Sequence, residues 1–415
     1  MGKFGNMQKV IALGEKSWRA GAAHGLVQVR TNKGNDGQLI LNGRAFTNMV
    51  SCSYLGLNRH QAILRGAIDA IEREGVLNHS VSRTRIAPAL LSEAEDAMSQ
   101  LFECEAYLTP SCFVASATVL PLYASGHLTD GTKPVVVFDK RCHFSMTIMK
   151  ASCGDETDVV TIDHNDMVAL EELCKANGKV VYVCDGAYST GGVAPIHDIV
   201  RLQNTYGMYL YIDDSHSISA YAPRGHGYMR PAFGAIGDRT IISGSLAKSF
   251  GAIGGVILAG STRIRELFDF ANGPTGWSQQ FSVPGMGSAL ATAKLHLTSE
   301  IADLQGRLQE NIAYFDSRLT SNDAGNGLPI RFVEVGEAEA AIEASKRILA
   351  RGFYVSAIFF PIVPRGKAGL RMMMRADMSR EQMRDFCDAV EEAIAITQQV
   401  APELVVATRQ GIPSA

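Results

Sequence analysis

A lysine embedded among small residues is the most chemically suggestive feature of this sequence: Ser243-Gly244-Ser245-Leu246-Ala247-Lys248-Ser249-Phe250-Gly251, followed by Gly254-Gly255. A lysine acts as a covalent catalyst only if an aldehyde reaches it and it sheds its proton, which demands a cleft and tuned neighbours. Small residues before it let a phosphate approach, and the hydroxyls of Ser243 and Ser245 can donate hydrogen bonds to one. The alternative is a solvated lysine in a glycine-rich turn. Upstream, Tyr211-Ile212-Asp213-Asp214-Ser215-His216 closes an apolar run. A carboxylate at the end of such a run can stand in the crevice of a sheet, where a nearby ring nitrogen would stay protonated and keep its ring electron-withdrawing; a helix cap is the alternative. Adjacent aspartates in an extended chain point opposite ways, so one faces the site and its neighbour serves the structure. Asp139-Lys140-Arg141-Cys142-His143-Phe144-Ser145 follows another β-rich run, and His143 alone is as compatible with an ordinary surface or core histidine as with a site. Ser111-Cys112-Phe113 opens a helix-like stretch whose first N–H groups offer a place for an anion. Cys184-Asp185-Gly186-Ala187-Tyr188-Ser189-Thr190-Gly191-Gly192 follows a further apolar run and could be a turn. An amine, a phosphate cradle and a carboxylate beside a ring nitrogen are together what pyridoxal 5'-phosphate (PLP) requires.

Elements with the right periodicity surround these residues. Apolar residues recur at helical spacing over Gln61–Glu74 and Leu91–Phe102. Short β-branched runs follow at Val135–Phe138, Val159–Ile162, Val180–Cys184, Met208–Ile212, Thr240–Ser243 and Gly255–Leu258. Such runs, alternating with helices, predict strands buried on both faces of a mostly parallel sheet, with ligands where the strands end. From Gly285 the texture becomes helical over Met286–Leu319. A turn at Gly325–Leu328 follows, then Ala338–Arg351, a strand at Arg371–Arg375, a helix at Arg380–Gln398 and a tail after about Val406. Near the start, Lys9–Ala23 reads as helical and Leu39–Leu41 as extended. The expected organisation is an arm over residues 1–58, a large α/β domain over 59–290 and a smaller α+β domain over 291–415.

Bulk composition narrows the function class. The 415 residues are 46% hydrophobic and 20% charged, with a formal net charge of -3, which suits a globular enzyme and argues against nucleic-acid binding through a basic face. No apolar run approaches the roughly 20 residues of a membrane span. The first residues lack an apolar signal core, and the eight cysteines include no C-x-x-C pair. A cytoplasmic protein with reduced thiols and no metal site is expected. No G-x-G-x-x-G opens a helix after an early strand, which argues against a nicotinamide dehydrogenase.

The order and spacing of these segments resemble the α-oxoamine synthase branch of the fold-type I PLP-dependent enzymes, a group that includes 8-amino-7-oxononanoate synthase, glycine C-acetyltransferase, 5-aminolevulinate synthase and serine palmitoyltransferase. The resemblance runs from Ser51-Cys52-Ser53-Tyr54-Leu55-Gly56-Leu57 to Gly369-Leu370-Arg371, and some wording around Tyr188-Ser189-Thr190 and Ser215-His216-Ser217 is similar to autoinducer synthases. It implies a large domain with a mostly parallel sheet between helices and a smaller C-terminal domain. It also implies that Lys248 forms the Schiff base and moves the substrate's α-proton, that Asp213 pairs with the pyridine nitrogen, and that His216 touches the phenolic oxygen. His143 would stack on the ring and donate to the thioester carbonyl. Ser111, the backbone at Cys112 and Phe113, and Ser245 would hold the phosphate, while Asp185 and Ser189 add cofactor contacts. Arg371 would grip the substrate carboxylate, a task that suits a bidentate guanidinium.

Several positions depart from the family pattern. Cys52 stands where Asn is frequent, Leu91 where a histidine is usual, and Ile362 where a threonine is common in the loop Phe360-Pro361-Ile362-Val363-Pro364. Ser82 lies in Asn78-His79-Ser80-Val81-Ser82-Arg83-Thr84-Arg85, which replaces a glycine-rich segment, and Gln279–Pro284 replaces a Ser/Thr-rich one. Cys52, Ser82 and Ile362 are therefore expected to shape the substrate pockets. The implied reaction is a decarboxylative Claisen-type condensation of an amino acid with an acyl thioester, carried on coenzyme A or an acyl-carrier protein, in a homodimer. Competing expectations are an aminotransferase or an aldolase-type lyase on the same fold, and a non-catalytic partner subunit, against which Lys248 with Asp213 and His216 argues.

Overall fold

The computed structural model describes residues 11, 15, 18–35, 38–270, 273–360 and 362–410. Of the expected helix at Lys9–Ala23, residues 11, 15 and 18–23 are helical, and the rest lies outside the described residues. The described residues divide into two compact units, one formed by Ser53–Gly306 and the other by those from 11 to 52 together with those from Arg307 onward.

The first unit is built on a seven-stranded sheet. Its strands are β1 (Glu105–Thr109), β2 (Val135–Asp139), β3 (Val159–Ile162), β4 (Val180–Asp185), β5 (Tyr209–Asp213), β6 (Thr240–Ser245) and β7 (Gly255–Ala259), in the spatial order β1-β7-β6-β5-β4-β2-β3. β2 to β6 are parallel, and β7 runs antiparallel to both β6 and β1. β4 and β5 are buried throughout, which is why they read as unbroken apolar runs rather than alternating ones. One core lies on each face, one around Met98, Leu210 and Met286 and the other around Val119, Phe138 and Tyr211. Helices α1 (Gln61–Glu74) and α4 (Val283–His296) cross where Gly66 meets Gly287: a Cβ on Gly66 would sit 2.8 Å from the Gly287 carbonyl oxygen. Between them in sequence come α2 (Ala89–Phe102) and α3 (Cys112–Ala124). The helical region expected over Met286–Leu319 consists of two helices, separated at Leu297, Thr298 and Ser299. The Thr298 hydroxyl bonds the Leu295 carbonyl and accepts the Glu300 N–H, and the chain restarts as Glu300–Arg318.

The second unit holds a four-stranded sheet that includes Leu39–Leu41 and Arg44–Asn48, and a three-stranded sheet of Ile330–Gly336, Ala368–Met373 and Ser356–Ile358. Arg331 is fully buried there. Its guanidinium grips both oxygens of Asp316 at 2.6 and 2.7 Å and donates to the carbonyls of Leu328 (2.6 Å) and Ile330 (2.8 Å). Removing one partner of a buried ion pair leaves the other uncompensated. Arg331→Met is therefore expected to lower this unit's unfolding free energy by about 3–5 kcal/mol. Urea titration checks this; a loss under about 1 kcal/mol would show that the pair is structurally idle. Among the described residues no helix is long and apolar enough to cross a membrane.

Candidate active site

The register of the parallel strands gathers the acidic residues. Asp185 lies opposite Asp213, and Asp213 opposite Ser243, at the carboxyl ends of β4, β5 and β6. This is the rim where an open α/β sheet offers its crevice. Because β7 returns antiparallel, Gly255 pairs with Ser245 on one side and with Thr109 on the other. A Cβ on Gly255 would come within 2.6 Å of the Cys112 nitrogen, so glycine is what lets the start of α3 pack against the first residue of β7. Ser111 caps that helix, its hydroxyl accepting the Val114 N–H at 3.3 Å.

The adjacent aspartates divide as alternation requires. Asp213 is 4% exposed; its Oδ1 accepts the Ser215 N–H at 3.0 Å, and its Oδ2 has the Cys112 thiol at 3.3 Å. A thiol is a weak donor, so this buried oxygen keeps acceptor capacity. Asp214 accepts the Met229 N–H at 2.9 Å, and burial pushes its carboxyl up to about 7; it serves the structure. Asp185 is buried and accepts the His143 N–H at 2.9 Å. Burial first, and then the charge of Asp213, push its carboxyl well above the usual carboxylate range.

Lys248 is half-buried, and its Nζ lies 2.8 Å from Nε2 of His216, whose Nδ1 is 2.6 Å from the Tyr54 hydroxyl. Ser215 links the parts, its hydroxyl accepting the Ser245 N–H at 2.8 Å and lying 3.6 Å from the Cys112 sulfur. Ser243 is fully buried and donates to the Ile212 carbonyl at 3.4 Å. His143 is exposed at the start of a short helix, with Nδ1 accepting the Ser145 N–H at 3.3 Å and lying 2.9 Å from the Ser145 hydroxyl. Phe113 is exposed and Ser189 is half-buried in the turn after β4, where Tyr188 donates to the Gly192 carbonyl.

Ser82 is buried, its hydroxyl donating to the Gly276 carbonyl, and its neighbour Arg83 pairs with buried Glu95 at 2.9 Å. In the second unit, Arg371 is half-buried between Phe332 and Ser356, Cys52 is half-buried, and Ile362 is 55% exposed. Sequence reasoning missed Tyr54 and Ser215 as site residues. Both stand inside segments it singled out, but nothing local says where their hydroxyls go.

Residues 45–390 match the family model of aminotransferase class I and II. The chain is 30% identical over 382 residues to the 8-amino-7-oxononanoate synthase of Alkaliphilus metalliredigens, covering 89% of this chain and 91% of that one. It is 28% identical over 354 residues to the serine palmitoyltransferase of Bacteriovorax stolpii, covering 83% and 81%. Among solved structures, a variant serine palmitoyltransferase from S. paucimobilis with a bound PLP–myriocin aldimine superposes with a TM-score of 0.82 at 17% identity, covering 96% of this chain and 99% of that one.

Proposed function

Because the chain belongs to the aminotransferase class I and II family, and within it to the α-oxoamine synthases, we propose that it is a PLP-dependent acyltransferase that condenses an amino acid with an acyl thioester, releasing carbon dioxide and leaving an α-aminoketone. Its fold is that of the fold-type I PLP-transferases, as the sequence led one to expect. The observation that carries the reading is the convergence on one sheet rim of an amine, a buried carboxylate with spare acceptor capacity, and a helix start opened by glycine.

These residues fit PLP. The start of α3, which Gly255 lets pack main chain to main chain, suits the phosphate, with the N–H groups of Cys112 and Phe113 and the Ser111 and Ser245 hydroxyls to hold it. Asp213 Oδ2 suits a protonated ring nitrogen, because its neighbour there is a weak donor. Asp185, held toward its neutral form, positions His143 through the backbone. When bound, PLP supplies the electron sink that stabilises negative charge on the amino acid's α-carbon. Lys248 holds the cofactor and then moves the α-proton. His216 contacts its phenolic oxygen, Ser189 adds a polar contact, and His143 donates to the acyl carbonyl as that oxygen becomes anionic. Arg371 binds the amino acid's carboxylate, and Cys52, Ser82 and Ile362 shape substrate choice. Ser82 acts there through the backbone at Gly276 that it holds.

Carbon dioxide release measured with a panel of amino acids and of coenzyme A and carrier-protein thioesters tests this. Release that requires the thioester is expected. Keto acid formation without a thioester would instead identify an aminotransferase, and aldehyde release an aldolase-type lyase.

A homodimer is supported by the outer face of α1, where Leu64, Ile68 and Ile71 are exposed at helical spacing with Leu77, Val81 and Ile86 following. Light scattering of the purified protein is expected to give twice the 44.7 kDa chain mass. Eight cysteines without a disulfide suit a reducing compartment, and the cytoplasm is the proposed location.

A further inference from the structure

We propose that Tyr54 is a positioning residue: its hydroxyl fixes which nitrogen of His216 carries the hydrogen, and so presents an N–H to the amine of Lys248. This rests on reading Lys248 as the cofactor-bearing lysine. The chain of contacts is Tyr54 Oη to His216 Nδ1 at 2.6 Å, then His216 Nε2 to Lys248 Nζ at 2.8 Å. Tyr54 is fully buried and His216 is 4% exposed, so the direction of each hydrogen bond matters more than it would in water.

The shorter of the two distances bears on that direction. Hydroxyl donors hold their acceptors at about 2.5–3.0 Å and N–H donors at about 2.7–3.2 Å. At 2.6 Å the first contact favours a hydroxyl donor, with Tyr54 donating and Nδ1 accepting. A neutral imidazole has one N–H, which must then be on Nε2. That N–H faces Nζ, where an unprotonated amine accepts it on its lone pair. An amine with a lone pair is the form that attacks an aldehyde: the carbon–nitrogen double bond forms, and the aldehyde oxygen leaves as water with the two amine hydrogens.

The backbone holds the two ends of this chain in place. A Cβ on Gly251 would lie 2.6 Å from the carbonyl carbon of Leu57, so the segment carrying Tyr54 and the segment carrying Lys248 touch main chain to main chain. Gly251 has φ 74° and donates to the Lys248 carbonyl at 3.1 Å, while Ser53 ties its own segment down through Asn58 at 2.9 Å.

Long-range hydrogen–nitrogen correlation spectra of protein labelled with nitrogen-15 histidine, without cofactor, test the proposal; the His216 signals are assigned by their loss in His216→Gln. The wild type is expected to show hydrogen on Nε2 and a bare Nδ1, and Tyr54→Phe a mixture of both tautomers. Stopped-flow mixing with PLP at neutral pH is expected to show adduct formation slowed about tenfold in Tyr54→Phe, the scale of one lost hydrogen bond. Hydrogen on Nδ1 in the wild type overturns the proposal even if the variant does not fold, and so does a Tyr54→Phe protein with unchanged tautomer and rate. If borohydride fixes no adduct on wild-type Lys248, the reading of the lysine fails, while the tautomer measurement still decides the role of Tyr54.

Discussion

Lys248→Ala is expected to leave a folded protein that stays colourless when mixed with PLP and whose turnover falls by at least about 10⁴-fold. The lysine amine has two duties, covalent anchorage and transfer of the α-proton, and removing a positioned acid–base group alone costs up to about 10⁴-fold. The second duty depends on where the amine stands. It is half-buried, set 2.8 Å from His216, on a loop that Gly251 pins against Leu57. The checks are a visible absorption band in the wild type that is missing from the variant, and a borohydride-fixed mass increment on the Lys248 peptide. A variant that turned yellow and kept a tenth of its turnover would transfer both duties to another residue.

How much of this was legible beforehand depended on sequence separation. β2 to β7 were each readable, because strands buried on both faces announce themselves as β-branched runs, and the structure extends several of them by only a residue or two. β1 was not readable: Glu-Ala-Tyr-Leu-Thr lacks such a run, and as an edge strand it is defined by pairing with β7, some 150 residues later. The strand Ile330–Gly336 was also overlooked, and the strand at Ala368–Met373 was read three residues late, since the run of methionines at 372–374 has no alternation to set its edge. Within the site, residue types on a single segment spoke for themselves. Contacts between segments did not: the Tyr54–His216 bond spans 162 positions, and the Cys112–Asp213 contact spans 101. Alternation required that the two aspartates divide the work, but only the packing of Met229 against Asp214 and of Cys112 against Asp213 says which takes which.

That division leads to the second large effect, a contrast between neighbours. Asp213→Asn is expected to lower turnover by about 10²–10³-fold, the range seen when one preorganised electrostatic contact to a reacting system is lost, while Lys248 still forms its adduct. The asparagine can still accept the Ser215 N–H, so the fold is kept, but it brings no negative charge to hold a ring nitrogen protonated. Asp185→Asn, one strand away and in register, is expected to cost less than about tenfold. Burial and the charge of Asp213 already hold that carboxyl toward its neutral form, and an amide oxygen can still accept the His143 N–H. Steady-state turnover of the two variants, with the adduct band recorded for each, checks the contrast. Equal losses would mean that the pair shares its charge rather than dividing it. An Asp213→Asn protein within tenfold of wild type would remove Asp213 from the ring nitrogen altogether. Both carboxyls stand at matching register positions and each accepts one backbone N–H, from His143 at Asp185 and from Ser215 at Asp213; they differ in that Asp213 turns its second oxygen toward a thiol, a weak donor, while burial and the charge of Asp213 push Asp185 toward its neutral form.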